Sequence, residues 1–240
     1  MTLKHEFRRM LWKIGYDVTR FNPASNPLAR RRELLKTYAI DVVLDVGANT
    51  GQFAQQMRID LGYSGRIVSF EPLSAEFERL SKNAKGDQKW EVINCALGEA
   101  DSKMDINIAG NSGSSSLLKM LPAHISAEPK SGYVSKEPIN IISLDSIIDS
   151  LCSKNDNIYL KIDTQGYESK VIKGAERSLS RIGSIHLEMS LTPLYEEEIL
   201  FGEMHALLTD KGYCLVSIET GFSNPVSGQL LQVDGIYHRY

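Results

Sequence analysis

The sequence predicts an α/β domain built on a doubly wound, mostly parallel sheet. Three observations carry that expectation. From residue 41 onward, short apolar runs alternate with stretches of helical periodicity, and strands buried on both faces read as continuous apolar runs. The first of these runs ends in a glycine-rich turn that opens a helix, the junction where an open α/β sheet binds its ligands. The chain closes on two strand-like runs with no helix between them, which places an antiparallel strand at one edge.

Val42-Val43-Leu44-Asp45-Val46 is the first strand, and residues 52–61 are the first helix after it. Residues 66–70 form the second strand, 74–84 a helix, and 90–95 the third strand. Roughly 60 residues then intervene, a length that in a compact domain is either functional or mobile. This 99–157 insertion holds the low-complexity stretch 110–116, a short strand at 139–142 and a helix from Asp145. Residues 158–162 are the fourth strand, 167–182 a helix and 184–189 the fifth strand, with the closing pair at 213–219 and 230–238. Helices between parallel strands imply right-handed crossovers. The acidic run Glu196-Glu197-Glu198 reads as a solvated helix start.

Charge divides the chain. Residues 1–40 hold nine Lys/Arg against three Asp/Glu, a balance of +6, and the other 200 hold 18 against 27, a balance of -9. In this basic arm Phe7, Met10, Leu11 and Ile14 recur at i, i+3, i+4, i+7, with Arg8, Arg9 and Lys13 off the stripe. Such a helix either contacts an acidic membrane surface or polyanionic glycan, or packs on the domain with its basic face in water, the commoner fate of a charge run. The prolines of the 22–27 segment mark a linker, and a second helix over about 28–38 carries Arg30-Arg31-Arg32. The expected division is a helical arm, 1–40, and one domain, 41–240.

Over the whole chain, 42% hydrophobic and 24% charged residues exclude a disordered polymer, and a net charge of -3 argues against a nucleic-acid partner. Cys95, Cys152 and Cys214 are scattered without metal or disulfide spacing, as in a reducing compartment, and Cys95 reads as a small buried hydrophobe. No apolar stretch reaches membrane-spanning length, and residues 1–17 lack a signal-peptide core, so a cytoplasmic location without a transmembrane segment is expected.

The turn Asp45-Val46-Gly47-Ala48-Asn49-Thr50-Gly51 has glycines at GxxxG spacing, not the GxGxxG of a dinucleotide site. Gly47 permits a tight turn and Gly51 a close approach to a ligand. Asp45 would repel a pyrophosphate and suit a cationic amino-acid group. Glu71, at the end of the second strand in Phe70-Glu71-Pro72, is placed to accept two ribose hydroxyl hydrogen bonds. The structural alternatives are turn glycines and a helix N-terminal acid.

Asp45–Gly51, Phe70-Glu71-Pro72, Asn94-Cys95-Ala96-Leu97-Gly98, Leu160-Lys161-Ile162-Asp163-Thr164-Gln165-Gly166-Tyr167-Glu168 and Gly174-Ala175 follow one another over about 130 residues. In that order they resemble the FkbM family of S-adenosylmethionine-dependent methyltransferases, from about residue 41 to the end of the chain. The resemblance implies a Rossmann-like class I sheet of seven strands with the last one antiparallel. It implies S-adenosylmethionine as cofactor and O-methylation of a hydroxyl, commonly on a sugar, glycan or natural product. It further implies that Asp45, Gly47, Asn49 and Gly51 hold the methionine end, that Glu71 takes the ribose, and that Asn94, Ala96 and Leu97 border the adenine.

Methyl transfer to a weakly acidic hydroxyl calls for alignment of the reacting atoms and for a base or a metal ion. Strand alternation puts Lys161 and Asp163 on one face of the fourth strand, and His186 and Glu188 on one face of the fifth. Polar pairs in otherwise apolar strands point at a cleft. Asp163 is the first choice for base or metal ligand, the alternative being a structural acid paired with Lys161. Glu188 and His186 are further candidates, with His186 equally readable as a core histidine. Glu168 is favoured by the helix dipole alone. No metal is assigned, although a divalent ion is compatible with the acids. Residues 112–116 either line the pocket as a lid or form a surface loop. Two other functions stay open on the residues alone: a nicotinamide-dependent oxidoreductase, which the missing GxGxxG opposes, and a non-catalytic binding module, which the intact Asp45, Gly47, Gly51 and Glu71 oppose.

Overall fold

The structure, a computed structural model, describes residues 3–240, with side chains from residue 5. Its central sheet has seven strands: β1 (Val42–Val46), β2 (Arg66–Phe70), β3 (Trp90–Ile93), β7 (Ile158–Ile162), β8 (Ile182–Ser190), β9 (Cys214–Thr220) and β10 (Gln232–His238). They lie in the order β3-β2-β1-β7-β8-β10-β9. All pairings from β3 through β8 are parallel, and β10 is antiparallel to both β8 and β9. The last strand is therefore the antiparallel one, as expected, but it is inserted one place in from the edge that β9 occupies. A turn without a helix lets β10 fold back directly against β9 and fill the position beside β8.

Alternation along the strands feeds two cores. Val42, Leu44, Leu160, Ile162 and Leu187 point to the face covered by α6 (Leu144–Leu151), α7 (Glu168–Lys173) and α8 (Phe201–Asp210). Val43, Ile67, Tyr159 and Ile236 meet α2 (Pro27–Thr37), α3 (Gln52–Ile59) and α4 (Ser74–Ala84) on the other. Each fully buried aliphatic side chain contributes about 1.5–3 kcal/mol by leaving water, so this two-faced burial is what holds the parallel strands together.

The 99–157 insertion is better ordered than its composition suggests. It contributes β5 (Ser102–Ala109) and β6 (Tyr133–Ile142), which pair with β4 (Ala96–Leu97) in a second sheet of order β4-β6-β5. The short strand expected at 139–142 is the end of the ten-residue β6. The apolar alternation of Met104, Ile106 and Ile108 is a strand signal that the length of the insertion had obscured. The 167–182 helix is shorter than expected, ending at Lys173 and followed by a 3-10 turn over Ser178–Arg181. The acidic run is no helix start either: α8 begins at Phe201, and Glu198 turns inward to accept hydrogen bonds from the amides of Leu194 and Tyr195.

In the N-terminal segment α1 (Leu3–Lys13) forms as expected, yet Phe7, Met10 and Ile14 are exposed. The reading in which α1 packs on the domain does not hold. It is α2 that packs, burying Ala29, Arg31 and Leu35. Among the described residues no helix is long and apolar enough to cross a membrane.

Candidate functional site

A cavity of about 430 Å³ opens at the carboxyl ends of the central strands. Toward β2 and β3 its wall is built by Gly47, Asn49, Glu71, Ala96 and Leu97, and at its centre by Lys161, Asp163 and Gln165. Toward β8 and β10 it ends on Phe53, His186, Asp234 and Arg31 of α2. Ser112, Gly113 and Ser115 reach over it from the second sheet, so the serine stretch lines the pocket.

Each position in the first turn has a separate reason. Gly47 takes φ +73°, and a Cβ there would fall onto the carbonyl oxygen of Asp163 at the end of β7. Only glycine lets the two strand ends approach so closely. Gly47→Ala is expected to cost more than about 3 kcal/mol through clash and left-handed strain, read as a drop in the urea midpoint. Asn49 is also left-handed at φ +48°; its amide donates to Glu71 Oε2 at 2.7 Å and its Nδ2 to Ser112 Oγ at 3.2 Å. Gly51 does not reach the cavity. Its added Cβ would meet the Trp90 ring at 2.8 Å, so its smallness serves the packing of α3. Asp45 is likewise beneath the floor, fully buried, with Oδ1 3.2 Å from Lys161 Nζ and Oδ2 accepting from Ser69 Oγ. In the structure its carboxylate is spent on orienting Lys161.

Glu71 ends β2 with its carboxylate on the cavity wall. Oε2 accepts from the Asn49 amide and Oε1 from the Leu73 amide at 2.8 Å. Burial lifts its pKa to about 7 against the pull of those two amides. Asn94 stands outside the cavity: its Nδ2 donates to the carbonyls of Glu71 and Pro72 and clamps the turn that presents Glu71. Burial pushes the Cys95 thiol up to about 12, in keeping with an inert hydrophobe.

The polar pairs of the fourth and fifth parallel strands face the same side, because Lys161 is the register partner of His186. Lys161 Nζ lies 3.5 Å from Asp163 Oδ2, donates to the Gly47 carbonyl and sits 5.5 Å over the Phe53 ring. Burial opposes its charge, but Asp45 and Asp163 outweigh burial and its pKa is raised. Asp163 keeps its carboxylate partly exposed to the cavity and accepts from Gln165 Nε2 at 2.9 Å. His186 is buried, which lowers its pKa and leaves it neutral, and Nε2 lies 3.3 Å from Asp234 Oδ1 without the alignment of a hydrogen bond. Glu188 stands behind Gln165, off the cavity wall, accepting from Gln165 Nε2 at 3.1 Å and Gln232 Nε2 at 2.8 Å. Burial first, then the nearby Asp163, Asp234 and Glu168, raise it well above the usual carboxylate range. Glu168 accepts from the Thr164 amide and hydroxyl, bracing the turn after β7, and burial lifts it to about 7.

Sequence reasoning passed over three residues. Gln165, left-handed at φ +56°, joins Asp163 and Glu188 through Nε2, accepts from Tyr195 Oη at 2.7 Å through Oε1, and accepts from Ser116 Oγ through its carbonyl. Asp234 is an acid in an apolar strand, the same signal that singled out Lys161 and His186. Arg31 was hidden inside a basic run; its guanidinium pairs with Glu219 at 2.5 Å, hydrogen-bonds Gln56 and lies over Phe53. Arg31 Nε and both ring nitrogens of His186 are buried without hydrogen-bond partners. Among the described residues no group of three or more His, Cys, Asp or Glu converges to hold a metal.

Several known proteins are similar to this chain. The hexuronic acid methyltransferase AglP of Haloferax volcanii is 25% identical over 182 residues, 73% of this chain and 70% of that protein. Among solved structures, a methyltransferase FkbM from Methylobacillus flagellatus KT aligns over 82% of this chain at 14% identity and a TM-score of 0.49, with the chain spanning 43% of that protein's length. A SAM-dependent methyltransferase from Aquifex aeolicus aligns over 91% of this chain and 98% of its own at 14% identity and a TM-score of 0.44. The methyltransferase FkbM domain matches residues 45–215, which hold the first turn, Glu71 and the Asp163 segment, and the chain belongs to that family of methyltransferases.

Proposed function

We propose that the cavity binds S-adenosylmethionine and that the enzyme methylates a hydroxyl of a sugar, glycan or natural-product acceptor. The observation that carries this reading is one continuous cavity with a buried acid, Glu71, at one end, Asp163 at its centre, and His186 and Asp234 at the other end. Gly47 and Asn49 would hold the methionine end, Glu71 the ribose hydroxyls, and Ala96 and Leu97 the adenine. S-adenosylmethionine held there would supply an electrophilic methyl group to the acceptor oxygen, the methyl–sulfur bond breaking as the methyl–oxygen bond forms. Asp163, partly exposed on the cavity wall, receives the hydroxyl proton. Lys161 and Gln165 hold the carboxylate of Asp163 in position.

The acceptor end suits hydroxyl groups. Asp234 and Asp163 present partly exposed carboxylates, Arg31 and His186 line the wall beside them with their unpartnered nitrogens buried, and the charges of Lys161 and Arg31 are answered by Asp45 and Glu219. A hydroxyl donates to such carboxylates and itself carries no charge. A sugar acceptor is also in keeping with the haloarchaeal relative, whose name identifies it as a hexuronic acid methyltransferase.

Calorimetric titration with S-adenosylmethionine, S-adenosylhomocysteine and NAD in parallel tests the cofactor reading. Micromolar binding of the two sulfur ligands with none for NAD is the expected result. Binding of NAD alone would overturn it.

A further inference from the structure

The apolar stripe of α1 is left without a partner, and it is part of a larger concentration. Seven large hydrophobic side chains between residues 7 and 21 are about half exposed or more: Phe7 at 57%, Met10 at 58%, Trp12 at 49%, Ile14 at 66%, then Tyr16, Val18 and Phe21. Isolated surface hydrophobes are ordinary; a cluster of this density marks an interaction surface.

The same segment is basic. Arg8, Arg9 and Lys13 lie off the apolar stripe, and Arg20 follows them. Arg8 is steadied by Asp17 at 2.5 Å and sits 5.2 Å from the centroid of the Trp12 ring. The segment is also tethered to the domain: Arg32 lies 4.8 Å over the Phe21 ring, and Arg30 Nε donates to the Pro23 carbonyl at 3.0 Å. Residues 3–21 hold five Lys/Arg against two Asp/Glu, a balance of +3, against -6 for the remainder. An anionic surface therefore attracts the arm and repels the domain, which orients the molecule as well as binding it.

From this we propose that residues 3–21 dock the enzyme on the surface of an anionic phospholipid bilayer. The apolar stripe enters the headgroup boundary and the basic residues meet the lipid phosphates. A polyanionic glycan would answer the charge but leave Phe7, Met10 and Ile14 in water. A bilayer satisfies both, as interfacial helices with Trp and Phe beside Lys and Arg do.

The test is partition of the full-length protein onto vesicles. Vesicles of phosphatidylcholine with about one third phosphatidylglycerol should bind it, and pure phosphatidylcholine should bind it on the order of tenfold less or more weakly still. Binding should fall as salt rises. Trp12 emission should shift to the blue on binding. Trp90, the other tryptophan, is already buried, so Trp12→Phe should abolish the shift while binding persists. The triple variant Phe7→Ser, Met10→Ser, Ile14→Ser and the double variant Arg9→Ala, Lys13→Ala should each lose at least about tenfold in partition. Unchanged circular dichroism and thermal midpoint will show that both variants are folded. Retention of heparin but not of vesicles, or concentration-dependent dimerisation that the triple variant abolishes, would overturn the proposal. So would vesicle binding that the variants leave intact.

Discussion

Replacing Asp163 by Asn is expected to reduce kcat by about two to four orders of magnitude, the worth of a positioned general base, while S-adenosylhomocysteine affinity stays within about twofold. The substitution is nearly isosteric. It keeps an oxygen to accept from Gln165 Nε2 and removes only the ability to take a proton. Glu188→Gln is the matched control. Burial and three neighbouring acids hold Glu188 well above the usual carboxylate range, which favours its uncharged form, and an amide is a close mimic of that form. It also lies off the cavity wall, where Gln165 and Gln232 donate to it, and its variant should retain most of the activity. Full activity in the Asp163 variant would remove that residue from the mechanism. A loss in the Glu188 variant as large as that of Asp163 would make the two carboxyls one catalytic unit.

Glu71→Ala is expected to weaken S-adenosylmethionine binding by roughly 10- to 100-fold, the value of one or two hydrogen bonds to a charged acceptor. The pH dependence supplies a second reading of the same residue. Burial lifts its pKa from 4.5 to about 7. Ribose hydroxyls donate to the ionised form, so wild-type affinity should decline as pH falls through 7, and Glu71→Gln should flatten that dependence. Stability of the unliganded protein runs the other way. A carboxyl whose pKa rises on folding stabilises fully below about 4.5, and that contribution is lost as pH rises through 7. Added cofactor should therefore raise the thermal midpoint more at pH 8 than at pH 6. An affinity unchanged in Glu71→Ala would sink the ribose role.

Much of this molecule is legible along its chain. The five parallel strands and the closing pair were found from apolar runs because a strand covered on both faces has no polar face to break the pattern. The sequence segments that carry the family resemblance contribute Gly47, Asn49, Glu71, Ala96, Leu97, Lys161 and Asp163 to one cavity wall. Family membership decides for a methyltransferase over the nicotinamide-dependent alternative. What misled was the meaning of residues whose partners are distant. Gly51 reads as a ligand-approach glycine, but Trp90 is what excludes a side chain there. Asp45 reads as a ligand contact, but Lys161, across the neighbouring strand, claims it. Asn94 reads as an adenine neighbour, but the carbonyls of Glu71 and Pro72 hold it away.

By itself the sequence determined the α/β class, the strand order in time and the identity of the first turn, since these follow from local periodicity and from which residues tolerate a tight turn. Only the tertiary structure decided that β10 slips between β8 and β9 and brings Asp234 beside His186. It likewise decided that Arg31 leaves the basic run to pair with Glu219, 188 residues away, and that the stripe of α1 stays uncovered. Each of these is a choice among partners of similar chemistry. Periodicity specifies that a side chain will be buried or charged, and the packed sheet specifies against what.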